Sequence, residues 1–164
     1  MQLRRGGIRR PILILGYTPP AYARDLVAMG LRQEVHSLEY ARALHEELKG
    51  SERRLKVHIK LDTGMSRLGF FAYDHPKTVE ELKEVAQMPK LLIEGIFMHF
   101  PGRGFHRRSR REFYAYAVRA LHADAERLKG VGIEPEIRHC CNSGATILYP
   151  EYALDMVRPG IATY

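Results

Sequence analysis

The chain has 164 residues, enough for one domain with a real hydrophobic core. Its apolar fraction of 45% and charged fraction of 27% exclude a low-complexity or disordered chain, and no apolar run is long enough to span a bilayer. The net charge is +7, but Arg103, Arg107, Arg108, Arg110 and Arg111 fall in one short stretch, so the basicity is local. The basic Met1–Arg10 segment has no signal-peptide-like apolar run behind it, and a cytoplasmic protein without membrane contact is expected.

Residues 1–7 read as the tail of a helix. Ile12–Leu15 is a continuous apolar run, the pattern of a strand buried on both faces. Pro19 and Pro20 open a helix that Gly30 closes. Gln33–Val35 is a candidate short strand. Ser37 is a good N-cap, and Leu38, Ala41, Leu44 and Leu48 recur at helical spacing up to Gly50. Lys56–Asp62 alternates apolar Val57, Ile59 and Leu61 with polar His58, Lys60 and Asp62, predicting a strand with one chemically active face.

Thr63–Arg67 reads as a loop. A helix is expected from about Asp74, with Thr78 and Glu81 spaced as a capping box. Leu91–Phe100 reads as a strand whose Gly95 implies a close backbone approach. A second capping-box pattern, Ser109 to Glu112, precedes a long helix marked by Phe113, Ala117, Leu121 and Leu128 and ended by Gly130. Glu136–Asn142 reads as a strand, Gly144–Tyr149 as a short helix or turn, and Asp155–Tyr164 as a last strand. Cys140 and Cys141 are adjacent; on a regular strand they point to opposite faces, so they are expected to be buried thiols rather than a disulfide or a metal site.

Strands alternating with helices at this spacing imply parallel strands joined by right-handed crossovers. About five or six strands are present. The chain starts in half a helix and stops on a strand, which fits an arc of an incomplete (β/α)8 TIM-type barrel. In such barrels the active site lies at the C-terminal strand ends. Here four successive ends are polar: Lys60–Arg67, His99-Phe100, His139–Gly144 and Asp155–Ile161. Asn142, Ser143 and the backbone around Gly144, Gly160 and Ile161 can offer donors to a phosphate. His99 offers a flat ring face, and Arg67 and Arg158 fixed positive charge.

The run HIKLDTGMSRLG from His58 to Gly69 resembles the signature of alanine racemases. EGIFMHF from Glu94 to Phe100 and DMVRPGIA from Asp155 to Ala162 resemble its next blocks, in order. Gly16–Pro20 and Ser37–Ala41 are similar to further family segments, so the resemblance covers nearly the whole chain. It implies the pyridoxal-phosphate barrel domain over residues 1–164, roughly the third to eighth strands, in an enzyme that interconverts L- and D-alanine for cell-wall precursor supply. It also implies a homodimeric full-length protein.

By the same resemblance Lys60 is a carbamylation candidate that pairs with Arg67, and Arg67 lies beside the cofactor's phenolic oxygen. His99 sits near the pyridine ring and Arg158 meets its nitrogen. Ser143, Gly160 and Ile161 contact the phosphate, and His139 supports the arginine from behind. The family's Schiff-base lysine, its catalytic tyrosine and its C-terminal β domain are expected outside residues 1–164, so the isolated chain is expected to be inactive. Two-base racemisation needs an acid/base group on each face of the substrate carbon. Pro101–Arg111 departs from the acidic stretch usual after the His-Phe pair. A serine-racemising relative, an inactive barrel remnant and a basic binding module are the competing readings. No metal and no nucleic-acid partner are expected; no aromatic stacking platform is interleaved with the arginines. Unpaired edge strands predict an aggregation-prone isolated chain.

Overall fold

The computed structural model describes residues 2–72, 76–100 and 107–163, without the side chains of 76 and 107–110. Six parallel strands lie side by side in the order β1 (Ile12–Ile14), β2 (Leu31–Val35), β3 (Leu55–Asp62), β5 (Leu91–Phe97), β6 (Ile137–Asn142) and β7 (Met156–Arg158). A two-residue strand, β4 (Phe70–Phe71), pairs with the end of β3. Helices α2 (Ala23–Ala28), α3 (Leu38–Glu47), α4 (Pro76–Gln87) and α5 (Arg107–Gly130) make the crossovers; α1 (Gln2–Arg5) precedes the sheet and α6 (Ser143–Leu148) follows β6. This is the barrel arc that the alternation predicts.

The elements form where local chemistry favours them. The Ser37 hydroxyl caps α3 by accepting from the Tyr40 amide at 3.2 Å, and Leu38, Ala41, Leu44 and Leu48 bury the expected stripe. Gly30 and Gly50 follow their helices with positive φ, which a glycine adopts without strain. Val57, Ile59 and Leu61 of β3 join the hydrophobic cluster with Ala117 and Leu121 of α5. Their alternate neighbours His58, Lys60 and Asp62 are also buried, on the other face of the strand.

Several boundaries differ from expectation. β1 is only half-buried and Leu15 is 51% exposed, because β1 has a single strand neighbour among the described residues. Thr78 sits buried inside α4, which already begins at Pro76, so it is not an N-cap; Asp74 lies outside the described residues. The Ser109 side chain lies outside them too, and α5 already begins at Arg107. The strand expected over Leu91–Phe100 ends at Phe97, and the last strand ends at Arg158. Pro159 has no N–H to extend the ladder, and the chain turns at Gly160 into a 3-10 turn over Ile161–Thr163.

Cys140 and Cys141 are free and fully buried, but they do not point apart. Both thiols donate to the Tyr152 carbonyl, at 3.2 and 3.1 Å. The β6–β7 ladder shifts register between His139 and Asn142, and this irregularity breaks the simple alternation.

Candidate functional site

Lys60, Phe97 and His139 occupy one rung across β3, β5 and β6. The His139 ring stacks on Phe97 with centroids 4.6 Å apart. The Lys60 ammonium and the Arg158 guanidinium both lie over the same Phe97 ring, at 5.8 and 5.1 Å from its centroid. Two strands that are not neighbours thus deliver their cations to one aromatic floor.

Lys60 is buried, and its Nζ donates to the Leu68 carbonyl at 3.0 Å. Burial pushes its pKa down, with Arg67 and Arg158 adding to the effect and Asp62 and Glu34 opposing it. Arg67 stands exposed in the loop after β3, close enough for its charge to bear on both Lys60 and His99. Asp62 shapes that loop: its Oδ1 accepts from the amides of Gly64 at 3.0 Å and Ser66 at 2.9 Å.

Arg158 is the centre of the site. Its Nη1 donates to His139 Nδ1, and its Nη2 donates to the carbonyls of Met98 at 2.9 Å and Cys140 at 3.2 Å. A guanidinium has five N–H groups, so these bonds leave two for another acceptor. Burial lowers its pKa only to about 10, so it stays charged at neutral pH. His99 follows β5 and is pushed down to about 4 by burial, then by Arg158, Arg67 and Lys60. It is a neutral ring at pH 7, and its Nε2 accepts from Asn142 Nδ2 at 3.5 Å.

A cavity of about 420 Å³ joins His99 and Arg158 to Ser143, Gly160 and Ile161, with Tyr114 and Tyr149 in its wall. Asn142 lines it as well, with its amide already engaged. Its Oδ1 caps α6 by accepting from the Ala145 amide, and its Nδ2 donates to the Phe100 carbonyl, both at 3.1 Å. The Ser143 hydroxyl accepts from the Ala162 amide at 3.3 Å, tying the start of α6 to the turn after β7. Lys60 and Arg67 do not line this cavity; Lys60 instead shares the Phe97 ring with Arg158.

Four side chains absent from the sequence reading of the site belong to its support. His58 Nδ1 lies 2.8 Å from His139 Nε2, and His58 Nε2 lies 3.4 Å from Glu94 Oε2. Arg32 grips Glu94 with two bonds, at 2.8 and 3.1 Å, and Lys56 adds a third at 2.6 Å. The available signal was the placement of His58 and Lys56 on the polar face of β3.

Of the arginine cluster, Arg111 is described, and it pairs with Glu151 at 3.3 Å; Arg103 and the side chains of Arg107, Arg108 and Arg110 lie outside the described residues. Among the described residues no cluster of three or more His, Cys, Asp or Glu is placed to hold a metal ion, and no helix is long and apolar enough to cross a membrane.

The family profile described as "Alanine racemase, N-terminal domain" matches residues 1–164. Alanine racemase of Clostridium novyi is 35% identical over 164 residues, covering 100% of this chain and 41% of the relative. The structure of alanine racemase from Bacillus anthracis with bound L-Ala-P superposes with a TM-score of 0.84 at 29% identity, over 99% of this chain and 41% of that one. A histidine racemase from Leuconostoc mesenteroides superposes with a TM-score of 0.81 at 30% identity, over 98% of this chain and 41% of that one. The chain thus spans about 41% of the length of these proteins.

Proposed function

Because this chain belongs to the alanine racemase family through its N-terminal domain, we propose that it is the cofactor-holding barrel arc of an enzyme that interconverts L- and D-alanine. The observation that carries the reading is one cavity lined by Arg158 and His99 together with Ser143, Gly160 and Ile161. Its donor set suits pyridoxal phosphate: a charged guanidinium with N–H groups to spare, a flat neutral imidazole, and a hydroxyl with backbone amides for an anion. When bound, pyridoxal phosphate supplies an electron-poor ring that makes the α-proton of an amino acid easier to remove.

The residues of this chain have distinct tasks in that reading. Arg158 donates to the ring nitrogen and keeps its own proton, since burial leaves its pKa near 10. His99 would offer its neutral ring face to the cofactor's heterocycle. Ser143, Gly160 and Ile161 would hold the phosphate, Gly160 by close approach because its amide already donates to the Arg158 carbonyl at 2.9 Å; the Asn142 cap of α6 and the Ser143–Ala162 bond fix the two segments. Lys60, with its pKa depressed, has more neutral amine to add carbon dioxide. The nitrogen bonds to the carbon, one proton leaves, and the carbamate faces Arg67. A carbon-13 carbamate signal from labelled bicarbonate, lost in Lys60→Ala, is the expected result.

Alanine as substrate rests on the names of the relatives. Serine is the alternative, and the histidine racemase among the similar structures makes a panel of amino acids necessary. A cytoplasmic homodimer supplying D-alanine to cell-wall precursors completes the proposal.

The test is a pyridoxal-phosphate titration of the purified protein, followed by borohydride trapping and a racemisation assay. We expect binding that Arg158→Gln weakens and that inorganic phosphate competes away. No lysine within residues 1–164 should be trapped. A trapped lysine in this range, with racemisation, would show that the family's lysine and tyrosine are not needed from elsewhere. Absence of binding would overturn the reading.

A further inference from the structure

We propose that His58 and Glu94 are positioning residues for Arg158, acting through a proton-ordered chain of hydrogen bonds that crosses the barrel interior by way of His139. The inference deepens the function proposed above, where Arg158 is the ring-facing group. Its geometry stands independently of that function.

The order of the protons follows from one donor-only group. Arg158 cannot accept a hydrogen bond, so the His139 Nδ1 that meets its Nη1 must be the acceptor. His139 is neutral, since burial and then Arg158 push its pKa to about 2. Its single proton therefore sits on Nε2 and points at His58 Nδ1, 2.8 Å away. His58 is also buried, with its pKa lowered by that burial against the pull of Glu94, so its proton sits on Nε2 and points at Glu94. Every proton in the chain points away from Arg158 toward a carboxylate. Such chains polarise cooperatively, so the anion at the far end makes His139 Nδ1 a stronger acceptor for the guanidinium.

Three local features build this arrangement. The β3–β5 ladder shifts register at Val57/His58: Ile93 faces Val57, Gly95 faces His58, and Glu94 is the extra residue between them. That bulge re-aims the Glu94 side chain toward Arg32, Lys56 and His58. Second, position 95 must be glycine. A Cβ there would lie 2.5 Å from His58 Nδ1 and 2.6 Å from His58 Cε1, where the ring now sits. Third, Glu94 is kept ionised. Burial works against its charge, but Arg32 and Lys56 outweigh burial and hold its pKa at about 2.

The experiment is a long-range proton–nitrogen NMR spectrum of the cofactor-free protein with nitrogen-15 histidine, followed by a pyridoxal-phosphate titration. In the wild type, His58 and His139 should both carry their proton on Nε2 alone. Glu94→Leu and Gly95→Ala should each give mixed tautomers at His139, with far-UV circular dichroism unchanged, and should bind pyridoxal phosphate about tenfold more weakly. A proton on His139 Nδ1 in the wild type would overturn the proposal without any variant being needed. So would an unchanged His139 tautomer, or unchanged affinity, in a folded variant. Ordered tautomers in a wild type that binds no pyridoxal phosphate would support the chain and refute the cofactor reading instead.

Discussion

Glu34 is only 1% exposed, and its Oε1 accepts from His36 at 2.8 Å while its Oε2 has no partner among the described residues. Burial raises its pKa above the ordinary 4.5, against the opposing pull of His36 and Lys60. The sign follows: the neutral carboxyl suits the folded state, so this stabilising term is full below 4.5 and is lost as pH rises through the raised folded value. Glu34→Gln keeps an oxygen for His36 and removes the cost of charging. It should stabilise the protein by about 1 kcal/mol at pH 8 and by nothing measurable near pH 4. Thermal unfolding at the two pH values checks this; a variant less stable at pH 8 would contradict it. At this scale the placement of polar groups at the strand ends was legible in the sequence, because Lys60, Arg67, His99 and Arg158 lie in strand-end blocks. The support behind it was not. His58 reads as one more polar residue of an alternating strand, and nothing local says that a bulge on the neighbouring strand, 36 residues later, turns Glu94 toward it.

Elements obey the same division between local and distant causes. Ser37 and Gly30 announced their helix ends because caps and positive φ are local chemistry. Strand β4 has two residues and exists only because the loop after β3 folds back to pair with Leu61 and Asp62, which no pattern of two residues encodes. Gly69 makes that return possible. Its φ is +129°, and a Cβ would lie 2.9 Å from the Asp62 amide nitrogen and from the Lys60 carbonyl oxygen. Gly69→Ala should therefore cost roughly 1–3 kcal/mol in strain and displace the Arg67 loop. A lower melting temperature, with weaker pyridoxal-phosphate binding, is the expected result; an unchanged melting temperature would refute the steric argument. Ser37→Ala, which removes a cap without crowding anything, should cost about 1 kcal/mol and leave binding untouched. The pair separates a loop that serves the site from a cap that serves only the fold.

For the whole molecule, the parallel order of the strands was legible because each crossover carries a helix-length amphipathic segment, and parallel pairing demands one. What the apolar run at Ile12–Leu15 did not reveal is that its strand is only half-buried, although unpaired terminal strands were expected. Each of the sheet's middle strands has a run of buried residues, whereas β1 and β7 at its two edges are half-buried throughout. Large apolar side chains stand out near both edges: Leu15 and Tyr17 beyond β1, and Ile147, Leu148 and Ile161 around β7. Edge strands present unpaired backbone donors and acceptors, and here they lie beside apolar surface that a soluble monomer does not usually show. The 164-residue polypeptide expressed by itself should therefore associate with rising concentration and bind a hydrophobic dye while folded. Sedimentation velocity across a concentration series, with dye fluorescence on the same samples, measures both. Lysine substitutions at Ile147 and Ile161 should reduce the association without lowering the melting temperature, because neither side chain is buried in the core. A monomer at all concentrations, with sharp and reversible unfolding, would mean that the edges are protected by something other than pairing.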